Sequence, residues 1–136
     1  MLYPLKFKPQ LKERIWGGTA LCGRGGVRTK AGARIGESWE ISGFEEDMSV
    51  VSEGRLKGNT IGELTEVFMG ELVGEEVFER FGLDFPLLIK NLDCNDTLSV
   101  QVHPDDAYAL ANEGEYGKTE MWYIFCSMFD RKIKSE

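Results

Sequence analysis

Leu98-Ser-Val-Gln-Val-His-Pro-Asp-Asp106, followed by Gly117-Lys-Thr-Glu-Met-Trp-Tyr123, decides how the chain is read. From Leu98 to His103 apolar and polar residues alternate strictly, the period of a strand with two unlike faces. Leu98, Val100 and Val102 form one face; Ser99, Gln101 and His103, the only histidine of the chain, form the other. The run from Glu120 to Phe125 is rich in strand formers, so antiparallel pairing is expected to bring the Glu120 carboxylate alongside. A Gln oxygen, a His nitrogen and a Glu oxygen are donors that zinc accepts, and three protein ligands leave a position open for water or substrate. The same alternation also describes any half-exposed strand, so the pattern alone leaves both readings open.

Length and composition set the frame. With 136 residues, 42% hydrophobic and 29% charged, the chain is expected to fold as one soluble globular domain with a real core. A net charge of -7 and a pI near 4.8 argue against nucleic acid or an anionic membrane as partner. They leave an anionic substrate open, because local basic residues decide a site. No apolar run reaches the roughly 18 residues of a membrane span, and Met1 to Pro9 carries no signal-peptide pattern. Cys22, Cys94 and Cys126 are widely spaced with no C-x-x-C, which reads as free thiols in a reducing cytoplasm.

Residues 2 to 9, framed by Pro4 and Pro9, read as an edge strand or extended arm. Trp16, before Gly17-Gly18, reads as a core anchor at the end of this arm. From Leu21 to Gly36, five glycines and four basic residues (Arg24, Arg28, Lys30, Arg34) lack P-loop spacing and read as a surface loop. Glu37-Ser-Trp-Glu-Ile-Ser42 is strand-like and sets Glu37 on one face with Trp39 and Ile41. A carboxylate buried there has to be paired or bound; otherwise it reaches solvent at the strand end. Ser49 to Ser52 is a short strand. Thr60-Ile-Gly-Glu63 is a capping box opening a helix that runs toward Gly70, and Glu75 to Phe81 is a second helix. Phe85 to Leu92 reads as a buried strand interrupted by Lys90, whose long side chain can snorkel to the surface. Pro104 suits a first helical position, with Asp105 and Asp106 in the first turn, so this acidic pair needs no catalytic explanation.

The two opening motifs occur together with Trp16-Gly-Gly-Thr19, Gly36-Glu-Ser-Trp-Glu40 and Phe85-Pro-Leu-Leu-Ile-Lys90. In that order they resemble the signature of the zinc-dependent type I mannose-6-phosphate isomerases, members of the cupin superfamily. The resemblance implies a mostly β fold, a partial cupin-type jelly roll with a few short helices. It implies isomerisation of mannose 6-phosphate to fructose 6-phosphate through an enediol, with a phosphosugar as partner. It implies zinc on Gln101, His103 and Glu120, a catalytic role for Lys118, and substrate contacts from Trp16, Glu37, Lys90 and Ser99. Lys118 and Ser99 are also candidates for the phosphate end. A non-catalytic cupin module that binds zinc or a phosphosugar is the alternative.

The resemblance covers residues up to about 124, and residues 125–136 read as a divergent tail on a single truncated cupin-like domain spanning 1–136. The family's further zinc-binding histidine and its arginine have no counterpart here. Activity of the chain alone is therefore open, and uncovered sheet edges make self-association the expectation.

Overall fold

Three antiparallel strands in the order β1-β2-β3 form the sheet: β1 Gln10–Gly18, β2 Ile35–Ser42 and β3 Leu88–Leu92. The computed structural model describes residues 1–125, which divide after Leu98 into two compact units. The sheet belongs to the first. In β2, Ile35 turns its side chain into a small core with Leu21 and Ala33, against which Leu11 and Cys22 pack. Its register with β1 shifts twice, between Lys12 and Glu13 and again before Gly18. Gly17 is required there by close approach: a Cβ would sit 2.5 Å from the Gly36 nitrogen and 2.7 Å from the Ile35 carbonyl carbon.

Buried polar groups are matched locally. Ser49 Oγ accepts the Ser42 backbone N–H at 2.8 Å, Ser42 Oγ accepts that of Phe44, and Thr65 Oγ1 donates to the Ile61 carbonyl. Among the described residues no buried side-chain polar atom lacks a partner, so these hydroxyls cost little to bury.

The helices are short. α1 spans Ile61–Phe68, opened by the expected capping box: Thr60 Oγ1 accepts from Glu63 N at 3.1 Å, and Glu63 Oε2 accepts from Thr60 N at 2.7 Å. Ile61 and Leu64 turn its apolar face inward. Met69, at φ 46°, breaks the helix, and α2 (Gly70–Val73) and α3 (Glu75–Phe81) follow. Of these helices α2 was not anticipated, and neither was the strand β1. Residues 2–9 form an arm rather than a strand, tied by a Phe7–Val51 bridge, and Val50–Thr60 is a second isolated bridge in place of the strand expected at 49–52.

The second unit holds α4 (Asp106–Asn112). Here the expected strands over 98–103 and 120–125 are absent. Val100 and Val102 are 95% and 90% exposed, and no described strand supplies the ladder partners that an extended segment needs. The expected start of the helix also moves by one residue or more. Pro104 lies outside it, and Asp105 is its N-cap, accepting the Tyr108 N–H at 2.8 Å. The Cys126 thiol and nearly all of the divergent tail lie outside the described residues; Cys22 and Cys94 are free.

Candidate functional site

In the second unit the residues singled out from the sequence fall into two small groups. His103 Nε2 lies 3.5 Å from Glu120 Oε1, and Lys118 Nζ lies 3.3 Å from the same oxygen. Gln101 Nε2 donates to Ser99 Oγ at 3.3 Å. No hydrogen bond or ion pair joins Gln101 to His103 or Glu120 among the described residues.

What brings Glu120 to His103 is not a β ladder. Gly117 N donates to Asp106 Oδ1 at 3.0 Å, and a Cβ on Gly117 would meet the Asp105 carbonyl carbon at 2.5 Å and the Pro104 oxygen at 2.6 Å. The 117–120 segment therefore runs against the backbone that follows His103, and only glycine permits that approach. An open depression lined by His103, Asp105, Asp106, Gly117, Lys118 and Thr119 lies at this crossing.

Burial of the Glu120 carboxyl acts to raise its pKa. The Lys118 ammonium, a Trp122 side-chain hydrogen bond and the His103 charge outweigh that and hold it below the ordinary value, which favours the carboxylate form. Two donors on a tetrahedral zinc with bonds of about 2.0–2.2 Å lie roughly 3.3–3.6 Å apart. The 3.5 Å between His103 Nε2 and Glu120 Oε1 falls in that range and is equally that of an ordinary ion pair. Among the described residues no group of three His, Cys, Asp or Glu side chains could hold a metal. The Gln101 amide oxygen is a neutral donor that could serve beside this pair.

In the first unit, Glu37 is 7% exposed. Its Oε2 accepts from Arg14 Nη2 and from Trp39 Nε1, each at 2.9 Å, and its Oε1 accepts from Lys90 Nζ at 3.3 Å. Burial raises its pKa, but the Trp39 hydrogen bond and the Lys90 and Arg14 charges prevail and keep it below the ordinary 4.5. The buried carboxylate is thus paired, one of the outcomes its sequence position required. Lys90 does not run free to solvent; it is three-quarters buried at its side chain.

Trp16, at the end of β1, is half-buried, and its carbonyl accepts the Asn95 N–H at 2.9 Å. Asp93 Oδ2 accepts the Ala20 N–H at 2.8 Å and fixes the turn after β1. On β2, Glu40 Oε1 gathers Ser38 Oγ, Arg24 Nε and Asn91 Nδ2 at 2.7–2.8 Å, which ties the basic loop to the sheet.

Arg14, Trp39, Asp93 and Gly117 were not singled out as site residues from the sequence. Register makes neighbours of β1 and β2 residues far apart in the chain, which no local pattern displays. Gly117 alone left a signal, as one of two glycines, with Gly114, between α4 and the Glu120 run.

A family model described as phosphomannose isomerase type I, catalytic domain, matches residues 4–122. Mannose-6-phosphate isomerase ManA of Bacillus subtilis is 47% identical over 134 residues, covering 96% of this chain and 39% of that protein. A mannose-6-phosphate isomerase of Streptococcus mutans is 45% identical, covering 91% of this chain and 37% of that protein. The solved structure of the Bacillus subtilis mannose 6-phosphate isomerase superposes with a TM-score of 0.66 at 44% identity, covering 84% of this chain and 35% of that one. The chain thus spans about two fifths of the length of the curated relatives it matches. The antiparallel sheet with short helices and this structural likeness bear out the mostly β, partial cupin-type fold. The chain belongs to the type I phosphomannose isomerase family.

Proposed function

We propose that this chain serves a zinc-dependent isomerase that interconverts mannose 6-phosphate and fructose 6-phosphate through an enediol. The observation that carries the reading is the 3.5 Å approach of His103 Nε2 to Glu120 Oε1, a ligand-pair spacing in a chain of this family. His103, Glu120 and the Gln101 amide oxygen hold the metal. Zinc, when bound, polarises the sugar oxygens and stabilises negative charge on the enediolate.

The remaining roles fall to side chains. Lys118, beside Glu120, is the group that handles the proton moving between C1 and C2, and Ser99 offers its hydroxyl to the substrate. Trp16, Glu37 and Lys90 are substrate contacts, while Lys118 and Ser99 are the candidates for the phosphate end. No described helix is long and apolar enough to cross a membrane, and the free Cys22 and Cys94 fit a reducing cytoplasm. Self-association belongs to the same reading.

Metal content and turnover test it together. The purified protein is expected to hold zinc, His103→Ala to lose most of it, and Asp105→Asn, whose side chain still caps α4, to keep it. A coupled assay for fructose 6-phosphate is expected to fall about a hundredfold or more in Glu120→Ala. Full zinc occupancy in His103→Ala sinks the ligand assignment. Stoichiometric zinc without turnover in the parent supports the non-catalytic binding module instead.

A further inference from the structure

Glu37 is the one charged residue among the buried residues described, and its two oxygens are used unequally. Arg14 from β1 and the Trp39 indole from β2 both close on Oε2 at 2.9 Å. Lys90 from β3 takes Oε1 at 3.3 Å. One carboxylate therefore gathers donors from all three strands. The two on Oε2 are well placed and leave that oxygen little capacity for a ligand. Lys90 differs: an ammonium carries three donors, one is directed at Glu37, and its side chain keeps 24% exposure against 9% for that of Glu37.

We propose that Glu37 is a positioning residue: Arg14 and Trp39 lock its Oε2 so that its Oε1 aims the Lys90 ammonium at a phosphosugar. This rests on the reading of Lys90 as a substrate contact. It changes the part of Glu37 from touching substrate to steering the group that does, and it adds Arg14 and Trp39 to the site. The charge matters as well as the shape. A neutral amide in place of the carboxylate turns one donor edge toward cations and leaves Arg14 and Lys90 repelling each other.

A double-mutant cycle on equilibrium binding of mannose 6-phosphate separates steering from contact. Lys90→Met is expected to weaken binding by at least about tenfold, and Glu37→Gln to do the same in the parent. In the Lys90→Met background, Glu37→Gln is expected to cost less than about twofold, because nothing remains to be steered. Trp39→Phe, which keeps an aromatic ring but removes the indole donor, and Arg14→Gln are expected to follow the same pattern at smaller size. They carry the cycle if Glu37→Gln does not fold.

Additive losses of Glu37→Gln and Lys90→Met show that Glu37 contacts the ligand itself, which overturns the proposal and leaves the site reading standing. Unchanged binding in Glu37→Gln overturns it equally. Parent-like binding in Lys90→Met, or no binding by the parent, removes the underlying reading and the proposal with it.

Discussion

A single hydrogen atom in place of a side chain decides whether Glu120 reaches His103. A Cβ on Gly117 would lie 2.5 Å from the Asp105 carbonyl carbon, 2.6 Å from the Pro104 oxygen and 2.7 Å from the Asp106 nitrogen, all backbone atoms that cannot rotate away. Gly117→Ala is therefore expected to push the 117–120 segment off the backbone beside His103. It should weaken zinc binding by at least about tenfold, the scale seen when a support of metal ligands is lost. A competitive chelator titration measures this, with Asp105→Asn as the reference that leaves the crossing intact. Equal affinity in Gly117→Ala and the parent shows that the crossing does not hold the ligand pair. The choice of His103 and Glu120 rested on residue chemistry and on the resemblance of their motifs, and that much was legible. Their means of approach was not, because a close backbone contact has no signature beyond one glycine.

At the scale of the elements, β2 carries both paired carboxylates, Glu37 and Glu40. Burial raises the pKa of each, but for Glu37 the Trp39, Lys90 and Arg14 interactions prevail, and for Glu40 those of Ser38, Arg24 and Asn91. Both folded values are lowered from 4.5, so their contribution to stability is complete above that pH. It is lost as pH falls through the lower folded values, where the folded state must take up protons that the unfolded state already binds. The parent is expected to lose stability below about pH 4.5 more steeply than the Glu37→Gln, Glu40→Gln double variant. Urea denaturation midpoints across that range check it; parallel curves for the two proteins contradict the role of these pairs. The capping box of α1 was readable because all its parts lie within Thr60–Glu63. The partners of Glu37 were not, since they come from strands whose register shifts at Glu13 and again after Trp39. The alternating runs at 98–103 and 120–125 misled for a related reason: alternation describes a face, whereas a strand also needs a neighbour to bond.

Over the whole molecule, exposed apolar surface is unevenly shared. Among the described residues, ten of the large exposed hydrophobics lie between Val100 and Phe125, and only eight in residues 1–98. Among the described residues of the second unit Ala109 is the one buried hydrophobic, while Met121 and Phe125 stand 91% and 81% exposed. Apolar surface gathered at this density marks an interaction face more often than a bare one, and a second copy of the chain offers the same unsatisfied surface. Two copies need to cover only about 800 Å² each for a stable interface. Opposing this is the net charge of -7, carried by 23 acidic against 16 basic residues. Like charges repel over roughly a Debye length, about 10 Å at 0.1 M salt, whereas apolar burial is not weakened by salt. Association is therefore expected to grow with protein concentration and to strengthen as salt rises from about 0.05 to 0.5 M. Replacing Tyr123 and Phe125, whose rings meet edge to face at 5.1 Å, by glutamate should reverse it by adding charge where apolar surface was. Sedimentation velocity over a hundredfold concentration range, roughly 1 to 100 μM, measures the outcome. A monomer at every concentration and salt, with the glutamate variant indistinguishable from the parent, means that these side chains do not bring two copies together.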